Sequence, residues 1–193
     1  MLFRSDDNIA VSRAFDNRVG VWTVIEALRI AKAKNPKAAI FACSNVQEEL
    51  GLKGAAMSVF NVKPDLAVIV DVTHATDTPG IDAKQHGLVK LGQGPSVAIG
   101  RENHPKVVDR LRKIARRSKI DYQVEAFSTT GGTNALSIYT ANGGVPSAVL
   151  SIPTRYMHST VEMMDLRDIQ HTAELLGAFC ADVKKDETFK VEI

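Results

Sequence analysis

Cysteine is scarce in this chain: its 193 residues include only two, Cys43 and Cys180, far apart and outside any C-x-x-C pair. That excludes a disulfide-stapled secreted scaffold and a cysteine-ligated zinc module. Reduced thiols buried in apolar segments of a cytoplasmic protein are expected instead. No apolar run approaches the roughly 18 residues that span a bilayer. The opening MLFRSDDN also lacks the apolar stretch of a signal peptide. Charge of one sign is lacking too, with 24 Lys and Arg against 22 Asp and Glu, a formal net charge of +2. Neither a membrane nor a nucleic acid is therefore an expected partner. Positive charge gathers only in HPKVVDRLRKIARRSK, His104 to Lys119. There Val107, Leu111, Ile114 and Ser118 share one helical face, and the basic residues take the other, as in a solvated surface helix.

What is present suits a protein with an ordinary core: 45% apolar and 24% charged residues, enough for one domain over residues 1–193. Helical and strand patterns alternate. RVGVWTVIEALRIAKAK carries an apolar stripe at Val21, Val24, Ile25, Leu28 and Ala31, and Pro36 follows its end. AAIFACS, Ala38 to Ser44, is a continuous apolar run that predicts a strand buried on both faces. GLKGAAMSVF reads as a short helix and DLAVIVDVT as a second buried strand. GLVKLG, SVAIG, YQVEAFS and PSAVLSIP read as further strands. NALSIYTAN reads as a short helix ended by Gly143 and Gly144, and DLRDIQHTAELLGAFCADVKK as the closing amphipathic helix. The order predicts an α/β fold, a three-layer α/β/α sandwich around a largely parallel or mixed sheet.

In such sheets ligands collect beyond the carboxyl ends of the strands. Asp16 follows IAVSRAF, Glu48 and Glu49 follow AAIFACSNV, Asp71 ends LAVIV, and His158 follows AVLSIPTRYM. Singly, each has a plain alternative. Asp16 reads as a helix N-cap, and the two glutamates as the acidic start of a helix. Asp71 reads as a turn residue, and His158 as a surface or packed imidazole. Together they form an oxygen-rich set with one imidazole, which divalent zinc, cobalt or manganese accepts. Two adjacent glutamates fit two roles, one binding metal while its neighbour moves protons. Met157, Met163 and Met164 near His158 read as packing rather than pocket lining.

SRAFDNRVG, VQEELGLKGA, VIVDVTHATDTPG, LGQGP, GGTNA and IPTRYMHS, in this order, resemble the dinuclear metallo-aminopeptidases of the tetrahedral type. That family includes glutamyl and deblocking aminopeptidases and some relatives labelled endoglucanases. The resemblance runs from about Ile9 to the last helix. It implies that Asp16 bridges two divalent ions, zinc or cobalt and possibly manganese. Glu49 and His158 would hold one ion and Asp71 the other, with Glu48 as general base. It further implies a substrate-binding loop at Gly131, Gly132, Thr133 and Asn134, short peptides as substrates, and a homo-oligomeric assembly.

Two departures stand out. Asn134 occupies a place where the family usually has Asp. Members of the family are also longer, with an N-terminal part that supplies a histidine ligand, and MLFRSDDNIAVSRAF contains no histidine. The chain therefore reads as the C-terminal part of a catalytic domain. His74 is assigned a structural role, His86 a loop, His104 a helix start and His171 an amphipathic helix. Two other readings stay open: a partly metallated, non-catalytic piece with a role in assembly, and a different hydrolase on the same scaffold.

Overall fold

The computed structural model describes residues 3–4, 7–127 and 132–190. Four strands form a mixed sheet in the order β3 (Ala67–His74), β6 (Ser147–Thr154), β4 (Ser96–Ile99), β5 (Gln123–Ala126). β3 runs parallel to β6, with Ala67 opposite Ser147 and His74 opposite Thr154. β4 is antiparallel to β6 and parallel to β5. β6 is buried at every position, as a central strand covered on both faces must be.

Alternation along the strands separates two cores. Val97, Ala148 and Leu150 point to one face, where they pack with α1 (Phe15–Ala33), α4 (Pro105–Ser118) and α6 (Leu166–Asp182) through Ala27, Leu111 and Phe179. Ile69, Ala98 and Val149 point the other way, against α2 (Lys53–Val62) and α5 (Ala135–Ile138). This is the expected three-layer sandwich. On α4, Val107, Leu111 and Ile114 are buried as the sequence pattern requires, and Pro105 occupies its first turn after the N-cap His104. α6 starts at Asp165, whose carboxylate accepts the Arg167 N–H at 2.9 Å. Among the described residues, no helix is long and apolar enough to cross a membrane.

A second, three-stranded antiparallel sheet joins β1 (Phe3–Arg4), β2 (Ile9–Ser12) and β7 (Glu162–Asp165). It ties the start of α1 to the start of α6.

Four elements differ from the sequence expectation. Residues 38–44 form no strand, and Phe41 and Cys43 lie exposed. An apolar run becomes a buried strand only with a hydrogen-bonded neighbour, and among the described residues this one has none. GLVKLG is a loop: the Val89 N–H donates to Thr76 Oγ1 at 2.8 Å, and its carbonyl accepts the Thr76 N–H, also at 2.8 Å. A threonine side chain thus takes the place of a strand partner. NALSIYTAN breaks into α5 and a 3₁₀ turn, Ala141–Gly143, before Gly144. Finally, α1 buries Val19, Gly20, Thr23, Ala27 and Ala31 rather than its most apolar stripe; Val21 and Ile25 are exposed. Its inner face follows the small residues because α6 comes close, and a Cβ at Gly177 would stand 2.7 Å from the Ile30 side chain.

Candidate metal centre

The small sheet delivers Asp16. Ser12 pairs with Glu162 across β2 and β7, and the buried Glu162 carboxylate accepts the Asp16 N–H at 3.0 Å. Asp16 is not the N-cap of α1. Ala14 holds that position, and Asp16 has extended rather than helical dihedrals. The next residue, Asn17, folds back: its Oδ1 accepts the Gly20 N–H at 2.9 Å. Its Nδ2 donates to Asp71 Oδ1 at 2.8 Å and to the Val70 carbonyl at 3.1 Å.

Glu48 and Glu49 lie on a tight turn before α2, not at the helix start. The Gly51 and Leu52 N–H groups donate to the Glu48 carbonyl, and the Gly54 N–H donates to the Val46 carbonyl at 3.1 Å. A Cβ at Gly54 would lie 2.3 Å from the Val46 oxygen, so the turn requires glycine there. His158 sits in the loop between β6 and β7. Arg155 and Met163 close that loop with a reciprocal pair of backbone hydrogen bonds at 2.9 and 3.0 Å.

These loops bring three of the expected ligands together. His158 Nε2 stands 3.0 Å from Asp16 Oδ2 and 3.5 Å from Glu49 Oε1. One ligand atom from each residue lies within 4.8 Å of the others. Ligands of a tetrahedral ion at a bond length of about 2.1 Å stand about 3.4 Å apart, so the trio fits a single divalent ion.

The electrostatics favour a cation here as well. Burial and the neighbouring Glu49 raise Asp16 above the usual carboxylate range, against the His158 contact. Burial, Glu49 and Asp16 raise Glu48 in the same way. Glu48 Oε1 is buried and finds no hydrogen-bond partner among the described residues. Such crowding of carboxylates is relieved by positive charge.

Asp71 stands apart from the trio. It is a buried mid-strand residue of β3, not a turn residue. Its Oδ1 accepts both from Asn17 Nδ2, at 2.8 Å, and from the Val72 N–H, at 2.9 Å. Burial pushes it up to about 7, with Glu48, Asp16 and Glu49 adding to the rise. It therefore feels the site's charges without sharing the cluster of three.

Of the expected substrate loop, Gly131 lies outside the described residues. Gly132 is exposed, and Thr133 Oγ1 accepts the Ala135 N–H at 3.1 Å. Asn134 Oδ1 is buried without a partner among the described residues, and Asn134 lines the same cavity as Glu48. His74 is exposed at the end of β3, His86 ends the four-residue helix α3 (Ala83–His86), and His171 lies in α6. Met164 is fully buried and Met157 packs beside it.

Sequence reasoning passed over four supporting residues. Glu162 and Asn17 orient Asp16 and Asp71. Asp77 and Arg155 join the loop after β3 to the histidine loop through contacts of 3.1 and 2.8 Å. Asn17, Asp77 and Arg155 all lie inside the quoted motifs, and their charge and amide chemistry was the available signal.

Residues 2–175 match the family described as M42 glutamyl aminopeptidase. A putative aminopeptidase of Acetivibrio thermocellus is 39% identical over 170 residues, covering 86% of this chain and 49% of the relative. Aminopeptidase APDkam598 from the archaeon Desulfurococcus kamchatkensis superposes with a TM-score of 0.83 at 36% identity, over 96% of this chain and 52% of that one. A Pyrococcus horikoshii TET1 peptidase, described as assembling into a tetrahedron or a large octahedral shell, gives a TM-score of 0.80 at 26% identity, over 95% and 53%. The chain spans about half the length of the relatives it matches. With its motifs, its fold and most of its length in agreement, this chain belongs to the M42 glutamyl aminopeptidase family.

Proposed function

We propose that this chain carries the greater part of the active site of a metal-dependent aminopeptidase that removes N-terminal residues from short peptides. The observation that carries the reading is the convergence of Asp16, Glu49 and His158, from three separate loops, within 4.8 Å. These three would hold one divalent ion, zinc, cobalt or manganese. Asp71, with one oxygen bonded to Asn17, would offer its carboxylate to a second ion shared through Asp16. Such ions polarise a peptide carbonyl and bring the pKa of water towards about 7.

The chain's own part in the reaction falls to Glu48. Raised by burial and by two neighbouring carboxylates, its carboxylate accepts a proton from the attacking water and returns it to the leaving amine. Asn134, on the same cavity, flanks the substrate together with Gly132 and Thr133. A homo-oligomer fits the assembly described for the TET1 relative.

A panel of aminoacyl-anilides incubated with the chain and zinc, cobalt or manganese tests the reading. Metal-dependent release that Glu48→Gln abolishes supports it; equal release by the variant overturns the role of Glu48.

A second reading has its own observation. Among the described residues three groups converge, and Asp71, outside that cluster, has one carboxylate oxygen bonded to Asn17. On that reading the chain takes one ion and serves assembly rather than turnover. A bound-metal ratio of one per chain with no release of anilide supports it, and a ratio of two with release excludes it.

A further inference from the structure

We infer that the open edge of β5, beside the unpaired arginines Arg112 and Arg116 of α4, is a docking site for an extended acidic peptide of a partner protein. The peptide adds as one more strand and sets two carboxylates against the two guanidiniums. The inference does not depend on the chemistry proposed for Asp16, Glu49 and His158.

The cations of α4 divide into two sets. Arg110 and Arg117 both contact Asp182, and Arg110 also bonds Glu187. Lys113 holds Asp109, the one acid on the helix, at 2.7 Å. Arg112 and Arg116 are left with no carboxylate in contact among the described residues. Arg116 Nε donates instead to the Tyr122 hydroxyl at 3.2 Å, and Arg112 Nε is buried with no acceptor among the described residues. Burial raises the Tyr122 phenol, yet the two guanidiniums bring it below its ordinary value, as cations beside an acidic oxygen do. The acids of the neighbouring strand do not neutralise these arginines. Glu125 turns to the opposite face, where Thr73 Oγ1 donates to it at 2.9 Å and Ser96 Oγ at 3.2 Å. Asp121 is exposed and in ion-pair contact with neither arginine among the described residues.

β5 itself is half paired. It ends the sheet and is bonded to β4 alone among the described residues. The Gln123 N–H donates to the Pro95 carbonyl at 2.8 Å and the Phe127 N–H to the Ile99 carbonyl at 3.0 Å. Odd-numbered residues therefore direct their backbone towards β4, and Val124 and Ala126 turn theirs to the open edge. Both are exposed, Val124 to 41%. Val124 shares a face of the strand with Tyr122, which packs against the core that Leu111 and Ile114 of α4 join. Open backbone and unpaired arginines thus lie along one border of the molecule.

These features select the occupant. A free phosphate, or the backbone of a nucleic acid, satisfies the guanidiniums and leaves the strand edge unpaired. A neutral strand does the reverse. Two copies of this chain joined antiparallel through β5 would bring both α4 helices to one face, arginine against arginine, and like charges oppose that closure. An acidic strand meets both demands at once. Its backbone pairs with Val124 and Ala126, as in strand addition, and its carboxylates fit the planar guanidiniums. The spacing matches as well. Alternate side chains on a strand stand about 6.6 Å apart, and residues four apart on a helix stand about 6 Å apart. An acid–x–acid pair in the peptide therefore spans Arg112 and Arg116.

The test uses the full 193-residue chain. Its probe is a short synthetic peptide alternating glutamate with valine, blocked at both ends so that neither metal nor turnover enters the readout. Binding is followed by fluorescence anisotropy and by hydrogen exchange. The glutamate peptide is expected to bind and to slow exchange at the Val124 and Ala126 amides about tenfold or more. Arg112→Glu combined with Arg116→Glu should weaken it at least about tenfold, and should let a lysine peptide of the same pattern bind in its place. Val124→Pro removes an edge donor where an open edge tolerates proline. It should weaken the glutamate peptide in the same measure while exchange across β6 stays as in the parent. No binding, or equal binding of glutamate and lysine peptides by the parent, overturns the inference. Binding that leaves Val124 and Ala126 unprotected assigns the arginines to an anion alone and overturns it, as does a DNA duplex that competes at equal affinity. Protection that follows chain concentration without peptide assigns the edge to a second copy and overturns it too.

Discussion

Arg155 grips Asp77 at two points, Nε at 3.1 Å and Nη2 at 2.8 Å from the two carboxylate oxygens. The pair binds the loop that follows β3 to the loop that carries His158. His158 has a positive φ of 60° and a side chain 61% exposed, so little packing holds its ring. The Arg155 clamp and the backbone pair with Met163 fix the loop's entry instead. Asp77→Asn keeps the shape and removes one charged acceptor. It should weaken metal uptake about tenfold to a hundredfold, the usual effect of losing a group that orients a ligand, with a much smaller change in melting temperature. Equal zinc affinity of variant and parent by calorimetry would remove the clamp from the site.

Glu48→Gln separates binding from chemistry. Glutamine keeps the side-chain volume on the turn but cannot take a proton. Turnover on aminoacyl-anilides should fall about a hundredfold or more, while the Asp16, Glu49 and His158 trio still loads metal. Parallel loss of metal and turnover would recast Glu48 as a ligand.

Much of this was legible in the sequence where a single residue pattern decided the outcome. β6 is buried throughout as its apolar run says, and α6 follows its amphipathic pattern. α4 buries Val107, Leu111 and Ile114 of its expected face but not Ser118, and β3 is a strand as expected but only half buried. Asp16 and His158 were readable as an acid after a strand and a loop histidine; Glu49 was singled out as a strand-end acid, although the strand expected before it does not form. What was not legible depends on partners. Residues 38–44 have strand composition but no neighbouring strand among the described residues. The α1 face rotated because the close approach of α6 at Gly177 favoured small residues over large ones. β7, only EMMD, has no β-branched residue to mark it. Asp71 was read as a strand-end ligand, with a turn residue as the plain alternative. Its actual state, mid-strand and held by Asn17, is fixed by residues 54 positions apart, which no local pattern encodes.

Asp168 anchors the LGQGP loop, and its replacement should be costly. Its buried carboxylate accepts the Gly92 and Gly94 N–H groups, each at 2.7 Å, where both glycines have positive φ. Asp168→Asn leaves one acceptor oxygen and turns an NH₂ towards a backbone donor. A loss of about 2 kcal/mol is expected, read as a lower urea midpoint at unchanged slope.

The two cysteines should part in reactivity. Cys43 lies exposed on the wall of the cavity that Glu48 also lines, whereas burial pushes the Cys180 thiol up to about 11. At pH 8 a maleimide should modify Cys43 in the folded chain and reach Cys180 only after denaturation. Mass spectrometry of the labelled peptides decides it, and protection of Cys43 to the same degree as Cys180 would place residues 38–44 in a buried strand after all.

The pH dependence of stability gives a sharper test of Asp71. Its folded pKa, about 7, lies above the ordinary 3.8 because burial disfavours its charge. Between those values the folded state holds more protons than the unfolded one. The sign then follows from linkage: the contribution of Asp71 to stability is fully present below about pH 3.8 and is lost as pH rises through about 7. Metal-free protein should therefore melt progressively lower from pH 4 to pH 7, and Asp71→Asn, which has no proton to lose, should flatten part of that slope. A divalent ion reaching the Asp71 carboxylate stabilises the charged form and should flatten the slope in the parent as well. Titrating zinc across this range in parent and variant thus separates one ion from two. If zinc raises the melting temperature without altering the difference between parent and Asp71→Asn, the ion sits on the trio alone, and Asp71 stays with Asn17.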